Sequence, residues 1–173
     1  MSRAAEQIAA AIGVWQAEGR GPLVVAIDGH GAAGKTTTAA EVTTRLNAIV
    51  VHTDDYFHDA RETGDRRPMA RYYSWDVLRR EALEPTIARL GGVPGIGSGR
   101  PLILVEGVSS AAPALADLVD RAVFVSTPEP VRLARLHGRI SDEEWDEEWL
   151  EAERRYFASR PPASFDLVVA GTA

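Results

Sequence analysis

The residues best equipped for chemistry in this chain are contiguous: Gly29-His30-Gly31-Ala32-Ala33-Gly34-Lys35-Thr36. The run fits G-x-x-x-x-G-K-[ST], a spacing with a physical meaning. Glycines let successive backbone N–H groups turn inward around an anion, and a helix opening at the end of the loop adds positive potential. The lysine reaches the outer phosphate oxygens and the final hydroxyl ligates Mg²⁺. Lys35 is the only lysine among 19 Lys plus Arg. Residues 29–36, with Thr37 behind them, are therefore expected to hold the phosphates of ATP, with Lys35 on the β and γ oxygens and Thr36 on Mg²⁺.

Carboxylates recur where strands should end. His52-Thr53-Asp54-Asp55-Tyr56-Phe57 places two acids after an apolar run, at a carboxyl edge where ligands of open α/β sheets gather. A hydroxyl that receives a phosphoryl group needs a carboxylate to take its proton, and Asp54 is the candidate base. The alternative makes Asp54 or Asp55 the N-cap of a following helix, and one of the pair could cap while the other catalyses. Leu102-Ile103-Leu104-Val105-Glu106-Gly107 ends four apolar residues in an acid. Glu106 there could hold Mg²⁺ directly or through water, or be a solvated strand end. Arg132, Arg135 and Arg139 share one helix face at spacings of three and four. They could clamp phosphates and stabilise transferring charge, or pair with the acids of 142–148. The four histidines, at 30, 52, 58 and 137, have no zinc-site spacing, and Trp145 with Trp149 reads as an apolar helical stripe.

Other chemistries are excluded by composition. The chain has no cysteine, hence neither disulfides nor zinc-thiolate sites. A net charge of −6 argues against a broad surface for nucleic-acid polymers. No run of eighteen apolar residues offers a membrane span, and the N-terminus lacks the apolar block of a secretory leader. The expectation is a cytoplasmic protein whose partner is a small hydroxyl-bearing molecule.

Short apolar, β-branched runs at 23–28, 48–53, 102–106, 122–126 and 166–169 alternate with helical patterns at 2–18, 34–47, 75–90, 114–119 and 129–138. This is the mark of βαβ units around a buried parallel sheet. Ser141 with Glu144 reads as a capping box opening a last helix over 142–159, stopped by Pro161-Pro162. The Gly-rich stretch 91–100 reads as a loop. All 173 residues fall into a single domain, with 132–155 as its lid-like segment.

In its order of motifs the chain resembles the uridine kinase branch of the P-loop nucleoside and nucleotide kinases. The resemblance rests on Ala26-Ile27-Asp28-Gly29 entering the loop, Thr53-Asp54-Asp55-Tyr56-Phe57, Trp75-Asp76 and Val105-Glu106-Gly107. It continues through Phe124-Val125-Ser126-Thr127-Pro128 with Arg132-Leu133-Ala134-Arg135, and ends at Asp166-Leu167-Val168-Val169. It implies a three-layer P-loop NTPase fold, a five-stranded parallel sheet in the order 2-3-1-4-5 with helices on both faces. It also implies Asp54 as catalytic base, with Tyr56 and Asp76 at the acceptor, and a lid over ATP formed by Arg132, Arg135 and Arg139. Lys35 and Arg135 would complete the catalytic set. The acceptor it implies is a nucleoside, ahead of a sugar, vitamin or antibiotic alcohol, or of a regulatory ATPase. Uridine kinases carry a long hairpin with Tyr and His side chains before the third strand; only residues 91–100 stand in that place here.

Overall fold

The protein is described as a computed structural model covering residues 1–58, 72–91, 99–137 and 143–171. Five strands, β1 (Leu23–Asp28), β2 (Ile49–His52), β3 (Leu102–Glu106), β4 (Arg121–Ser126) and β5 (Leu167–Ala170), form one sheet in the order β2-β3-β1-β4-β5. Every pairing is parallel. Every residue of β1 and β3 is buried, so both read as continuous apolar runs instead of alternating ones.

Side chains alternate between the two faces of the sheet. Leu23, Val25 and Ile27 meet Ile8 and Ile12 of α1 (Arg3–Trp15) and Ala39 and Val42 of α2 (Lys35–Leu46). Val24 and Ala26 belong to the opposite cluster. There they join Leu78 and Leu83 of α3, which spans 75–91, and Trp149, Tyr156 and Phe157 of α5 (Glu143–Ser159), the helix after α4 (Glu129–His137). The result is a sheet with helices on both faces.

Two helices depart from the sequence reading. The helix at 75–90 is present, but Arg79–Leu83 winds as a π turn between Trp75–Leu78 and Glu84–Gly91. At 114–119 there is no α-helix: Pro113–Leu115 is a single 3₁₀ turn. This connection is short and tied at both sides. Arg79 donates to the Ala114 carbonyl and to Asp117, while Asp120 Oδ2 accepts the Val24 N–H at 2.9 Å. Arg139, Ser141 of the capping box and most of the Gly-rich loop lie outside the described residues, as does the side chain of Trp145. Among the described residues no helix is long and apolar enough to cross a membrane.

Candidate active site

β1 delivers the chain into the phosphate loop through a conformation that glycine permits. Gly29 has φ 145°, and a Cβ there would lie 2.5 Å from the Val125 carbonyl oxygen. Ala32 (φ 57°) and Gly34 (φ 92°) also occupy the left-handed region, which curls the backbone into a nest before α2 begins at Lys35. The entry is locked by Asp28, which is completely buried. Its Oδ1 accepts the N–H groups of Gly29 (2.7 Å) and Ser109 (2.8 Å). Its Oδ2 accepts the Ala111 N–H (3.1 Å) and the Tyr156 hydroxyl (2.7 Å). Burial raises the pKa of this carboxyl, against the hydrogen bonds from Tyr156, Gly29 and Ala111.

Lys35 is buried and donates to the His30 carbonyl at 2.8 Å, spanning the loop. Burial pushes its ammonium pKa down, opposed by the charges of Glu106, Glu153, Asp28 and Asp54. The lysine therefore sits within the field of four carboxylates from four parts of the chain. Beside it, Thr36 Oγ1 donates to Glu106 Oε1 at 3.1 Å. Parallel pairing opposite Ile27 and His52 sets Glu106 at this edge of the sheet. His52 Nδ1 lies 2.8 Å from Glu106 Oε2 and orients the carboxylate. A hydroxyl and one carboxylate at this separation suit Mg²⁺, a hard cation that completes its shell with water and phosphate oxygens. Glu106 is buried, which sets aside the reading of a solvated strand end.

Arg132 and Arg135 both reach the loop. Arg132, 4% exposed, points Nη1 at the Gly31 carbonyl (3.4 Å), and Arg135 Nη1 donates to the Ala32 carbonyl at 3.1 Å. Arg132 also lies 3.6 Å from Glu153, an acid on α5 outside the run 142–148. Glu153 itself is in contact with the loop: Oε1 accepts the Gly31 N–H (2.6 Å) and the Trp149 indole N–H (3.0 Å), and Oε2 lies 3.0 Å from His30 Nδ1. Burial works to raise the Glu153 pKa, but the bonds to His30 and Gly31 and the nearby Lys35 charge outweigh it and hold the carboxyl below its usual range.

Directly after β2, Thr53–Tyr56 forms a 3₁₀ turn capped by His52, without a side-chain cap. Asp54 and Asp55 thus lie inside the turn, and neither is an N-cap. Both are exposed. The turn is held from behind by Phe57 bridged to Tyr73, by the Ser74 N–H on the Tyr56 carbonyl (2.9 Å), and by the His58 N–H on the Tyr72 carbonyl (2.9 Å). The Tyr73 hydroxyl makes a long 3.4 Å contact to Asp54 Oδ1. Burial, then the Asp54 charge, push the phenol pKa up, so Tyr73 stays a donor. Tyr73 stacks on Trp75 at 4.8 Å, and the next residue, Asp76, is exposed on the first turn of α3.

Sequence reasoning identified the loop, Glu106 and the two arginines that meet there, but not Glu153, Tyr156, His52 or Tyr73 as parts of the site. For Glu153 a signal was present: Trp149, Glu153 and Tyr156 fall on one helical face, where a lone acid between aromatic residues needs a buried partner.

The arrangement, a five-stranded parallel sheet in the order 2-3-1-4-5 with a phosphate nest after β1, matches a P-loop NTPase α/β fold. No protein-family model and no curated protein sequence matches the chain. Among solved structures it is similar to a possible uridine kinase from Bacillus stearothermophilus, with TM-score 0.65 and 17% identity over 95% of this chain and 96% of that one. It is also similar to a protein assigned as a fructose transport system kinase from Silicibacter sp. TM1040, with TM-score 0.55 and 21% identity over 94% and 98%. A third likeness is to shikimate kinase from Bacteroides thetaiotaomicron, with TM-score 0.52 and 17% identity over 86% of each chain.

Proposed function

We propose that the protein is an ATP-dependent kinase that moves the γ-phosphate to a hydroxyl of a small molecule, and that this acceptor is a nucleoside. The observation that carries the reading is the Thr36–Glu106 contact of 3.1 Å beside the buried Lys35, a donor pair suited to magnesium at the mouth of a phosphate nest. Mg²⁺, when bound, would neutralise charge developing on the transferred group.

The chain's own residues supply the rest. Loop amides and Lys35 hold the phosphates, and Arg132 and Arg135 keep the loop in shape through its carbonyls while adding positive potential. Asp54, exposed on its turn, accepts the proton of the attacking hydroxyl. As the hydroxyl oxygen bonds to the γ-phosphorus, the bond to the β–γ bridging oxygen breaks and ADP leaves. Asp76 and Tyr56 orient the acceptor. The similar structures carry names for three different alcohols, and the motif resemblance favours the nucleoside among them.

The test is transfer of labelled γ-phosphate from Mg-ATP to a panel of nucleosides, sugars and other alcohols including shikimate, read by mass spectrometry. A phosphorylated nucleoside is the expected product. ATP hydrolysis with no phosphorylated alcohol would replace this reading by a regulatory ATPase, and a product confined to sugars or shikimate would move the acceptor class.

A further inference from the structure

Helix α5 grips the phosphate loop along one face. Trp149, Glu153 and Tyr156 follow at i, i+4 and i+7, and Phe157 lies beside them. Tyr156 donates to Asp28, the residue that fixes Gly29. The Phe157 ring packs against the His30 ring at 4.2 Å. Glu153 is the most deeply engaged of the four: its side chain is 1% exposed. One oxygen takes two N–H donors, from Gly31 and Trp149, and the other faces His30 Nδ1 and the Arg132 guanidinium. Gly31 itself approaches so closely that a Cβ on it would lie 3.0 Å from Glu153 Oε1.

We propose that Glu153 is a positioning residue of the donor site, whose carboxylate stays seated on the loop while nucleotide binds and holds Gly31, His30 and Arg132 in the conformation that receives the triphosphate. The inference rests on reading the loop as the ATP site. A competing role, an internal anion that phosphate must expel, is disfavoured by the same geometry. Expulsion would strand a buried carboxylate that now has donors on both oxygens, and would leave Arg132 and the Gly31 amide without that partner. The carboxylate acts through the loop and touches no substrate atom. It also extends the reach of α5, because the Trp149 indole that donates to it packs on Tyr72 (5.2 Å) and Phe57 (6.0 Å), the wall behind the Asp54 turn. One helix face thus braces both halves of the site.

The experiment is calorimetric titration of the full chain with Mg-AMP-PNP, a non-hydrolysable ATP analogue, on wild type, Glu153→Ala and Glu153→Gln, with near-UV circular dichroism to establish folding. Glu153→Ala is expected to bind about 10–100-fold more weakly, because a loop displaced by a fraction of an ångström misaligns its donors. Glu153→Gln should recover most of that loss, since its amide oxygen still accepts from Gly31 and Trp149. A folded alanine variant that binds as tightly as wild type or tighter overturns the proposal, as does a glutamine variant no better than alanine. Should alanine prevent folding, Glu153→Asp decides instead: one methylene shorter, it must bind more weakly, and wild-type affinity there overturns the proposal. Wild-type protein that binds no Mg-AMP-PNP would instead remove the donor-site reading, and this inference with it.

Discussion

The donor and acceptor halves of the proposed site are built to opposite standards. On the donor side Asp28, Lys35, Glu106, Arg132 and Glu153 are all buried, and each has a partner within the loop or at its rim. On the acceptor side Asp54, Asp55 and Asp76 are exposed, and among the described residues Asp54 Oδ1 is met by a long 3.4 Å contact from the Tyr73 hydroxyl. A triphosphate is always the same ligand, so a backbone nest with left-handed residues at Ala32 and Gly34 can be over-determined by its surroundings. An acceptor is recognised by side chains that its own polar groups must satisfy, and those side chains face solvent here.

The contrast is broken most directly at Asp54. Asp54→Asn is expected to lower transfer about 10²- to 10⁴-fold while leaving Mg-AMP-PNP affinity within error; a calorimetric loss of nucleotide affinity would show that the halves are not separable. The next largest effect belongs to the loop entry. Gly29→Ala adds a Cβ 2.5 Å from the Val125 carbonyl at a φ of 145° and should cost about 1–3 kcal/mol in urea unfolding. Gly13→Ala at an exposed position of α1, where a Cβ meets nothing within 4 Å, should add about 0.5–1 kcal/mol instead. Equal effects at the two glycines would mean the entry is not strained against β4.

The smallest effect is on pH dependence. In the proposed donor site Lys35 must be charged to hold phosphate, and burial lowers its pKa in the folded protein. Activity is therefore lost as pH rises through that lowered value, and kcat/KM for ATP should begin to fall below the ordinary lysine range, by a few-fold at first. Lys35→Arg, whose guanidinium stays charged, should flatten this limb even at reduced overall rate. A limb at the usual lysine position would place Lys35 in a wetter loop than the structure shows.

The loop, the five strands and Glu106 at the end of β3 were legible because each is a short contiguous signal: a glycine spacing, an apolar run, an acid that ends one. The helix expected at 114–119 failed for the converse reason. Its six residues carry a helical composition, but the link to β4 is tied down by Arg79 and Asp120, and a turn satisfies those ties. Asp54 was singled out by its place after β2, whereas Tyr73, whose hydroxyl meets it, lies 19 residues away with no local mark.

What the sequence by itself determined is the phosphate-loop nest, since such a nest is made by consecutive residues whose backbone conformations depend on local composition. What only the tertiary structure decided is how that nest is held. Glu153 meets Gly31 across 122 residues, Tyr156 meets Asp28 across 128, and Arg132 meets Gly31 across 101. Those contacts exist because α5 folds back over the face of the sheet that carries Val24 and Ala26, and burial there requires each polar group it brings to find a partner on the loop.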